Sequence, residues 1–222
     1  MKKEKSISHI HVLDAFEKSK TCPLCDLDNA SVQKYMEDML YESVNDRGLR
    51  GKLVKQKGFC DVHGELMLKC GDALGIAILH IDQIQLLLDH LNNTSSIFSK
   101  IKNTDRSGWT EHSGCIICEV RRTAGKRHIE NFIELMDDDT MKNYLDKFLG
   151  FCAKHLFRVI EKLDKPEHVK YLLKLHTEKY ESLLADLKEL CRKNDYRFQA
   201  EPSGKEADSW QKAVYVVSGK IL

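Results

Sequence analysis

Proline is almost missing from this 222-residue chain, with only Pro23, Pro166 and Pro202. No stretch alternates convincingly between polar and apolar residues, as a half-buried strand would. These two lacks argue against a sheet built from short strands and turns. Charge of one sign is lacking as well. The 35 basic side chains are balanced by 34 acidic ones, so no global field draws the chain toward nucleic acid or anionic lipid. No apolar run follows Met1-Lys2-Lys3-Glu4-Lys5, and a secretory signal is not expected. The longest apolar stretches are broken by Asp82, Gln83, Gln85, Asp89 and His90, which predicts no membrane span. Phosphate loop, nucleophile elbow, zinc-protease motif and Rossmann glycine pattern are all absent, so no catalytic residue is assigned.

What is present is helical spacing over most of the chain. Ile10, Leu13 and Phe16 predict a short first helix, and Val32, Tyr35, Met36, Met39, Leu40 and Val44 a second ending near Asn45-Asp46. A shorter helix through Leu49 and Leu53 should stop at Gly58, a natural left-handed cap. One long helix is expected from Asp61 to about Leu91, weakened at Gly71 and Gly75. Ile129 to Met136, Met141 to Phe148, a helix from Ala153, and Val169 to Leu190 continue the plan, and Trp210 to Val217 reads as a short helix or strand. With 42% hydrophobic and 31% charged residues, a real core and a well-solvated surface are both expected.

The chain carries one pattern twice. Cys22-x-x-Cys25 is followed by Gly58-Phe59-Cys60-x-x-His63, and Cys115-x-x-Cys118 by Gly150-Phe151-Cys152-x-x-His155. Each copy supplies three thiolates and one imidazole, a closed four-ligand set of the kind that holds structural zinc. A cysteine and a histidine three apart at a helix start face the same side, and the positive end of the helix dipole favours thiolate. About two zinc ions per chain are expected, with an iron–sulfur cluster on the same ligands as the alternative. Local sets need less long-range ordering, so Cys22 and Cys25 are expected with Cys60 and His63, and Cys115 and Cys118 with Cys152 and His155. Exchange, with Cys22 and Cys25 meeting Cys152 and His155, is the other arrangement. Cys70 reads as core. The matched cysteine–histidine sets favour a reduced, cytoplasmic, metal-bound protein over disulfides.

The expected architecture is an all-α duplicated helical bundle of two similar halves, each with a Cys3His knuckle. Residues 1–93 would form the N-terminal repeat with the first site, 94–114 a linker, 115–198 the C-terminal repeat with the second site, and 199–222 a tail packed on the body.

The motifs, together with Leu13-Asp14-Ala15-Phe16-Glu17-Lys18, Tyr41-Glu42-Ser43-Val44-Asn45-Asp46 with Arg50, Asp195-Tyr196-Arg197 and Asp208-Ser209-Trp210, carry a resemblance that spans nearly the whole chain. The sequence resembles the uncharacterised bacterial and archaeal family catalogued as domain of unknown function 6062. That resemblance implies the same fold and metal sites and brings no established activity. The chain departs from the family pattern at Pro202-Ser203-Gly204, where relatives usually read Pro-Trp-Gly.

Other clusters have simpler readings. Asp14, Glu17, Glu42, Asp46 and Arg50 could converge on a polar pocket, but helix caps and surface ion pairs account for such residues more often. His9 and His11 read as exposed or locally bonded. Arg121, Arg122, Lys126 and Arg127 read as a solvated face, and Asp137-Asp138-Asp139 as an acidic helix start. The expected role is a protein-interaction or scaffold module with a protein partner. The alternatives are a redox or metal-responsive protein, and an enzyme with an unrecognised pocket between the halves, near Asp14, Arg50, Asp195 and Arg197. Nucleic-acid binding is not expected.

Overall fold

The computed structural model describes residues 5–95, 114–198 and 200–220. Among these residues the chain is all-α, without a strand. Helices α1 (Ile7–Lys18), α2 (Pro23–Glu42), α3 (Arg47–Gln56), α4 (Asp61–Lys69) and α5 (Ala73–Ser95) come first. Then follow α6 (Ile116–Glu134), α7 (Asp139–Lys147), α8 (Ala153–Ile160) and α9 (Pro166–Lys193). A 3₁₀ turn at Lys205–Asp208 leads into α10 (Ser209–Ser218), settling the choice between helix and strand there.

The starts and stops follow local chemistry. Pro23 and Pro166 open α2 and α9, where a missing N–H costs nothing. Asp46 and Asp138 cap α3 and α7 through their carboxylates. At the end of α3 the left-handed cap falls on Lys57, at φ 56°, with Gly58 following at φ 97°. The single long helix expected from Asp61 to Leu91 is in fact two. Gly71 turns left-handed at φ 73°, and Asp72 accepts from the Gly75 N–H at 2.9 Å, so a C-terminal stop and a new N-terminal cap sit back to back.

The chain forms two compact units, residues 1–29 with 125–222, and residues 30–124. These are not the expected divisions 1–93 and 115–198. The first CPLC segment belongs with the C-terminal residues, and the second Cys-x-x-Cys segment belongs with the middle of the chain. The expected linker 94–114 lies almost entirely outside the described residues.

The first unit is built on aromatic rings. Phe16 stacks on Phe132 with centroids 5.2 Å apart, and Phe151 meets Phe16, Phe132 and Phe148 edge-on. Phe151, from the Gly-Phe-Cys motif, is wholly buried, which anchors the turn before Cys152 with roughly 2–3 kcal/mol of burial. The tail docks on the same unit. Glu206 is buried and accepts from Lys193 and from the Gly204 N–H, both at 2.8 Å. Those bonds hold its carboxyl down to about 2. Asn29 donates to the Lys220 carbonyl at 3.2 Å.

The second unit packs Leu53, Met67, Leu79 and Ile117 against Met36 and Met39. Helix α5 contributes Leu79 and Gln83 to the interior, and its Asp82 binds Arg50 of α3 at 2.6 and 2.7 Å. Contrary to the sequence expectation, Ala73–Asn92 of this helix is long and apolar enough to cross a membrane by length and composition. Asp82 and Asp89 are the only Asp, Glu, Lys or Arg residues in that stretch, too few to bring its hydropathy below that of a spanning helix.

Candidate metal centres

The eight motif residues come together as two quartets, and the pairing is crossed. Cys22 and Cys25 meet Cys152 and His155, while Cys115 and Cys118 meet Cys60 and His63. The local pairing expected from chain order is therefore corrected. Each quartet lies within one compact unit.

Both centres use the same local devices. One cysteine pair sits at the start of a helix: the Cys25 and Asp26 N–H groups bond the Cys22 carbonyl at 2.9 and 3.2 Å, and the Glu119 N–H bonds that of Cys115 at 3.1 Å. The other pair opens a second helix. Cys60 and Cys152 are the N-caps of α4 and α8, in extended backbone, with no side-chain cap bond. Their sulfurs are thus free for a ligand role, and His63 and His155 follow one turn on. Gly58 and Gly150, at φ 97° and 118°, turn the chain just before. Two helix N-termini point at each centre, and both favour anionic sulfur.

The distances are those of a compact donor set. In the first centre, Cys22, Cys25 and Cys152 Sγ lie 3.5, 3.3 and 3.3 Å from His155 Nδ1, and Cys25 and Cys152 Sγ are 3.6 Å apart. In the second, Cys60, Cys115 and Cys118 Sγ lie 3.1, 3.6 and 3.3 Å from His63 Nδ1, with Cys60 and Cys118 Sγ 3.7 Å apart. All four donors of each quartet fall within 4.8 Å of one another and could hold a metal ion.

The electrostatics point the same way. Bonds from the Cys22 and Cys25 sulfurs pull the Cys152 thiol well below its ordinary range, while burial pushes Cys22 well above it. Burial raises Cys115, but His63 and backbone N–H groups outweigh it and bring the thiol down to about 6. Burial and the Cys115 charge push Cys118 up to about 12. One cysteine per quartet ionises readily, while burial makes Cys22 in the first and Cys60 and Cys118 in the second resist. A cation would reverse that resistance and expel their protons on binding.

The surroundings differ between the two centres. Every donor residue of the first is buried, at 2% exposure or less. His155 Nε2 donates to Asp28 Oδ2 at 3.2 Å, and Asp28 Oδ1 accepts from His128 Nδ1 at 2.9 Å. Burial alone would raise the Asp28 carboxyl, yet these bonds hold it below its usual range. Gly125 makes room, since a Cβ there would lie 3.1 Å from both Asp28 oxygens. Further out, His176 Nε2 accepts from the Phe151 N–H at 3.0 Å and the Tyr180 hydroxyl donates to the Phe151 carbonyl at 2.6 Å. Helix α9 thereby clamps the residue preceding Cys152. In the second centre Cys118 is exposed and Cys60 partly so. There His63 Nε2 is buried with no hydrogen-bond partner among the described residues.

Sequence reasoning missed Asp28, His128, His176 and Tyr180. Asp28 had a usable signal, lying three residues after Cys25 and so on the same helix face. The corresponding place after Cys118 is Arg121.

A match to a known family spans residues 1–222. The chain belongs to the family of unknown function DUF6062. The chain is also similar to an uncharacterized 23.9 kDa protein in the xynA 3′ region of Caldicellulosiruptor sp. (strain Rt8B.4), 28% identical over 204 residues, covering 91% of this chain and 97% of that one. No solved structure matches this DUF6062 chain.

The remaining sequence candidates serve local roles. Asp14 pairs with Lys18, Arg50 with Asp82, and Asp195 with Arg197. Asp46 caps α3, while Glu17 and Glu42 are exposed. His9 closes a capping box with Ser6 and pairs with Glu134, and His11 is exposed. Arg122, Lys126 and Arg127 are exposed and Arg121 half-buried. Asp137 takes Lys165 and His168 while Asp138 caps α7, so the acidic run is spent on structure. Cys70 and Cys191 join neither quartet.

Proposed function

We propose that each quartet holds one zinc ion, about two per chain, and that the ions staple helix junctions in a cytoplasmic protein that binds a protein partner. The observation that carries the metal reading is the spacing of the donors. Sulfurs about 2.3 Å from a tetrahedral zinc stand roughly 3.8 Å apart, and about 3.6 Å from a histidine nitrogen on the same ion. The sulfur–nitrogen separations run from 3.1 to 3.6 Å, the closest sulfur pairs are 3.6 and 3.7 Å apart, and all donors of a quartet lie within 4.8 Å. An iron–sulfur cluster interposes several iron and sulfide atoms between its cysteine sulfurs, so a single ion fits these close quartets better. With four protein donors on a tetrahedral ion, no position is left for substrate, and the role is structural. Purified without a metal-binding tag under anaerobic conditions, the protein should be colourless with about two zinc ions per chain. Brown protein with iron and acid-labile sulfide would refute the assignment.

The partner reading rests on α5. Leu74, Ile81, Ile84, Leu88 and Leu91 are 46–72% exposed, and with Ala77 they recur at alternating steps of three and four. That is the a/d seam of a coiled coil, so the partner suited to it is a protein helix with a matching apolar seam. The opposite side of α5 is committed to Leu79, Gln83 and the Arg50–Asp82 pair. The helix carries no Lys or Arg to hold it at anionic headgroups, which favours protein over lipid. A photo-crosslinker at Ile84 should give one discrete protein adduct in cells, and one at Glu65 none. Lipid adducts alone, or none at Ile84, would refute the role.

A further inference from the structure

The two quartets share their donors and differ in everything around them. In the first, four buried donors are backed by Asp28, and the C-terminal end of α10 covers the sulfurs: a Cβ on Gly219 would lie 3.4 Å from both Cys25 and Cys152 Sγ. Gly219 holds φ 77°, where a side chain is disfavoured anyway. In the second, Cys118 is exposed and opens on a cleft of ≈ 380 Å³ lined by Gln56, Gly114, Cys115, Glu119 and Arg122. Gln56 Oε1 and His63 Nε2 are both buried without partners among the described residues. Cys60 Sγ waits 3.7 Å from Cys118 Sγ.

We propose that the Cys60–Cys118 pair is a peroxide-oxidised release site, so that one ion of the two leaves on oxidation while the other is retained. This rests on the metal reading above. The Cys118 thiolate attacks one oxygen of hydrogen peroxide, giving a sulfenic acid and hydroxide. The Cys60 thiolate then attacks that sulfur, a disulfide forms and a second hydroxide leaves. The sum is two thiolates, one peroxide and two protons to one disulfide and two waters, each sulfur losing one electron. The sulfurs need to close from 3.7 Å to about 2.05 Å. The ion is left with Cys115 and His63 and dissociates. Cys25 and Cys152 are as close, at 3.6 Å, but burial keeps peroxide from them, so access decides between the centres.

The test uses the full chain carrying Cys191→Ser, which removes an exposed thiol outside both quartets. Zinc content is measured first. Equimolar to tenfold peroxide is then added with a chromogenic zinc chelator present, and disulfides are mapped by mass spectrometry. The expected result is one zinc released at least about tenfold faster than the other, together with a Cys60–Cys118 cross-linked peptide. Less than two zinc at the outset sinks the metal reading itself, and this proposal with it. Two zinc that leave together, no release at tenfold peroxide, or a first disulfide among Cys22, Cys25 and Cys152 would overturn the proposal alone. A Cys118→Ser variant that still loses one zinc to peroxide at the original rate would also overturn it.

Discussion

Asp28→Asn is a near-isosteric change aimed at a single contact of the first centre. The Asp28 carboxylate is 2% exposed and accepts from two imidazoles, His155 Nε2 at 3.2 Å and His128 Nδ1 at 2.9 Å. An amide offers one accepting oxygen, so one imidazole loses its partner or must turn to the other tautomer. With the orienting charge gone, His155 Nδ1 is a weaker and less fixed donor. Loss of such an outer partner usually costs about 10–100-fold in metal affinity, or about 1.4–2.7 kcal/mol. At saturating zinc the same loss appears as reduced stabilisation, about 3–10 °C in melting temperature for a chain of this size. Chelator competition at pH 7.5 reads both affinities at once, and the second centre serves as an internal control. The account expects one of the two zinc dissociation constants to rise and the other to stay put. Two unchanged constants would show that Asp28 does not orient the ligand, and equal weakening of both would point to global destabilisation instead.

Further outcomes follow from named contacts. Cys60→Ser and Cys152→Ser should each lower zinc content from two to one per chain and reduce melting temperature, whereas Cys70→Ser, outside both quartets, should do neither; metal analysis and thermal scans check this. Gly51→Ala, with nothing within 4 Å of the new Cβ, should stabilise α3 by roughly 0.5–1 kcal/mol. Gly125→Ala sits equally within a helix but meets Asp28 at 3.1 Å, and should destabilise in the same urea titration. His176, its pKa lowered chiefly by burial, accepts from the Phe151 N–H and must stay neutral to do so. Its folded pKa lies below the unfolded value of about 6.5, so its contribution is complete above that pH and declines as pH falls beneath it. Stability measured from pH 7.5 to 5.5 should fall more steeply in the wild type than in His176→Asn, and parallel curves would contradict the assignment.

The helical class was legible from spacing alone, and the stop at Gly58 could be named from residue chemistry. The break at Cys70-Gly71-Asp72 was also encoded, as a left-handed glycine followed by a capping aspartate. A continuing run of apolar residues on both sides hid it. The eight clustered residues were legible as well, because two copies of one pattern are a strong signal. Their pairing was not. Closing a loop costs only (3/2)RT ln n, so joining Cys25 to Cys152 across 127 residues instead of to Cys60 across 35 adds about 1 kcal/mol. Burying Phe151 among Phe16, Phe132 and Phe148 alone outweighs that. The preference for local sets was real but too small to decide the fold. The clamp on Phe151 by His176 and Tyr180 depends on how α9 lies against α8, which no local pattern specifies.

The most direct measurement replaces zinc with cadmium-113 and records proton–cadmium correlations, which report through bonds which side chains hold each ion. The account predicts two cadmium resonances. One should correlate with Cys22, Cys25, Cys152 and His155, and the other with Cys60, Cys115, Cys118 and His63. Correlations joining Cys22 and Cys25 to Cys60 and His63, or no cadmium resonance at all, would contradict it.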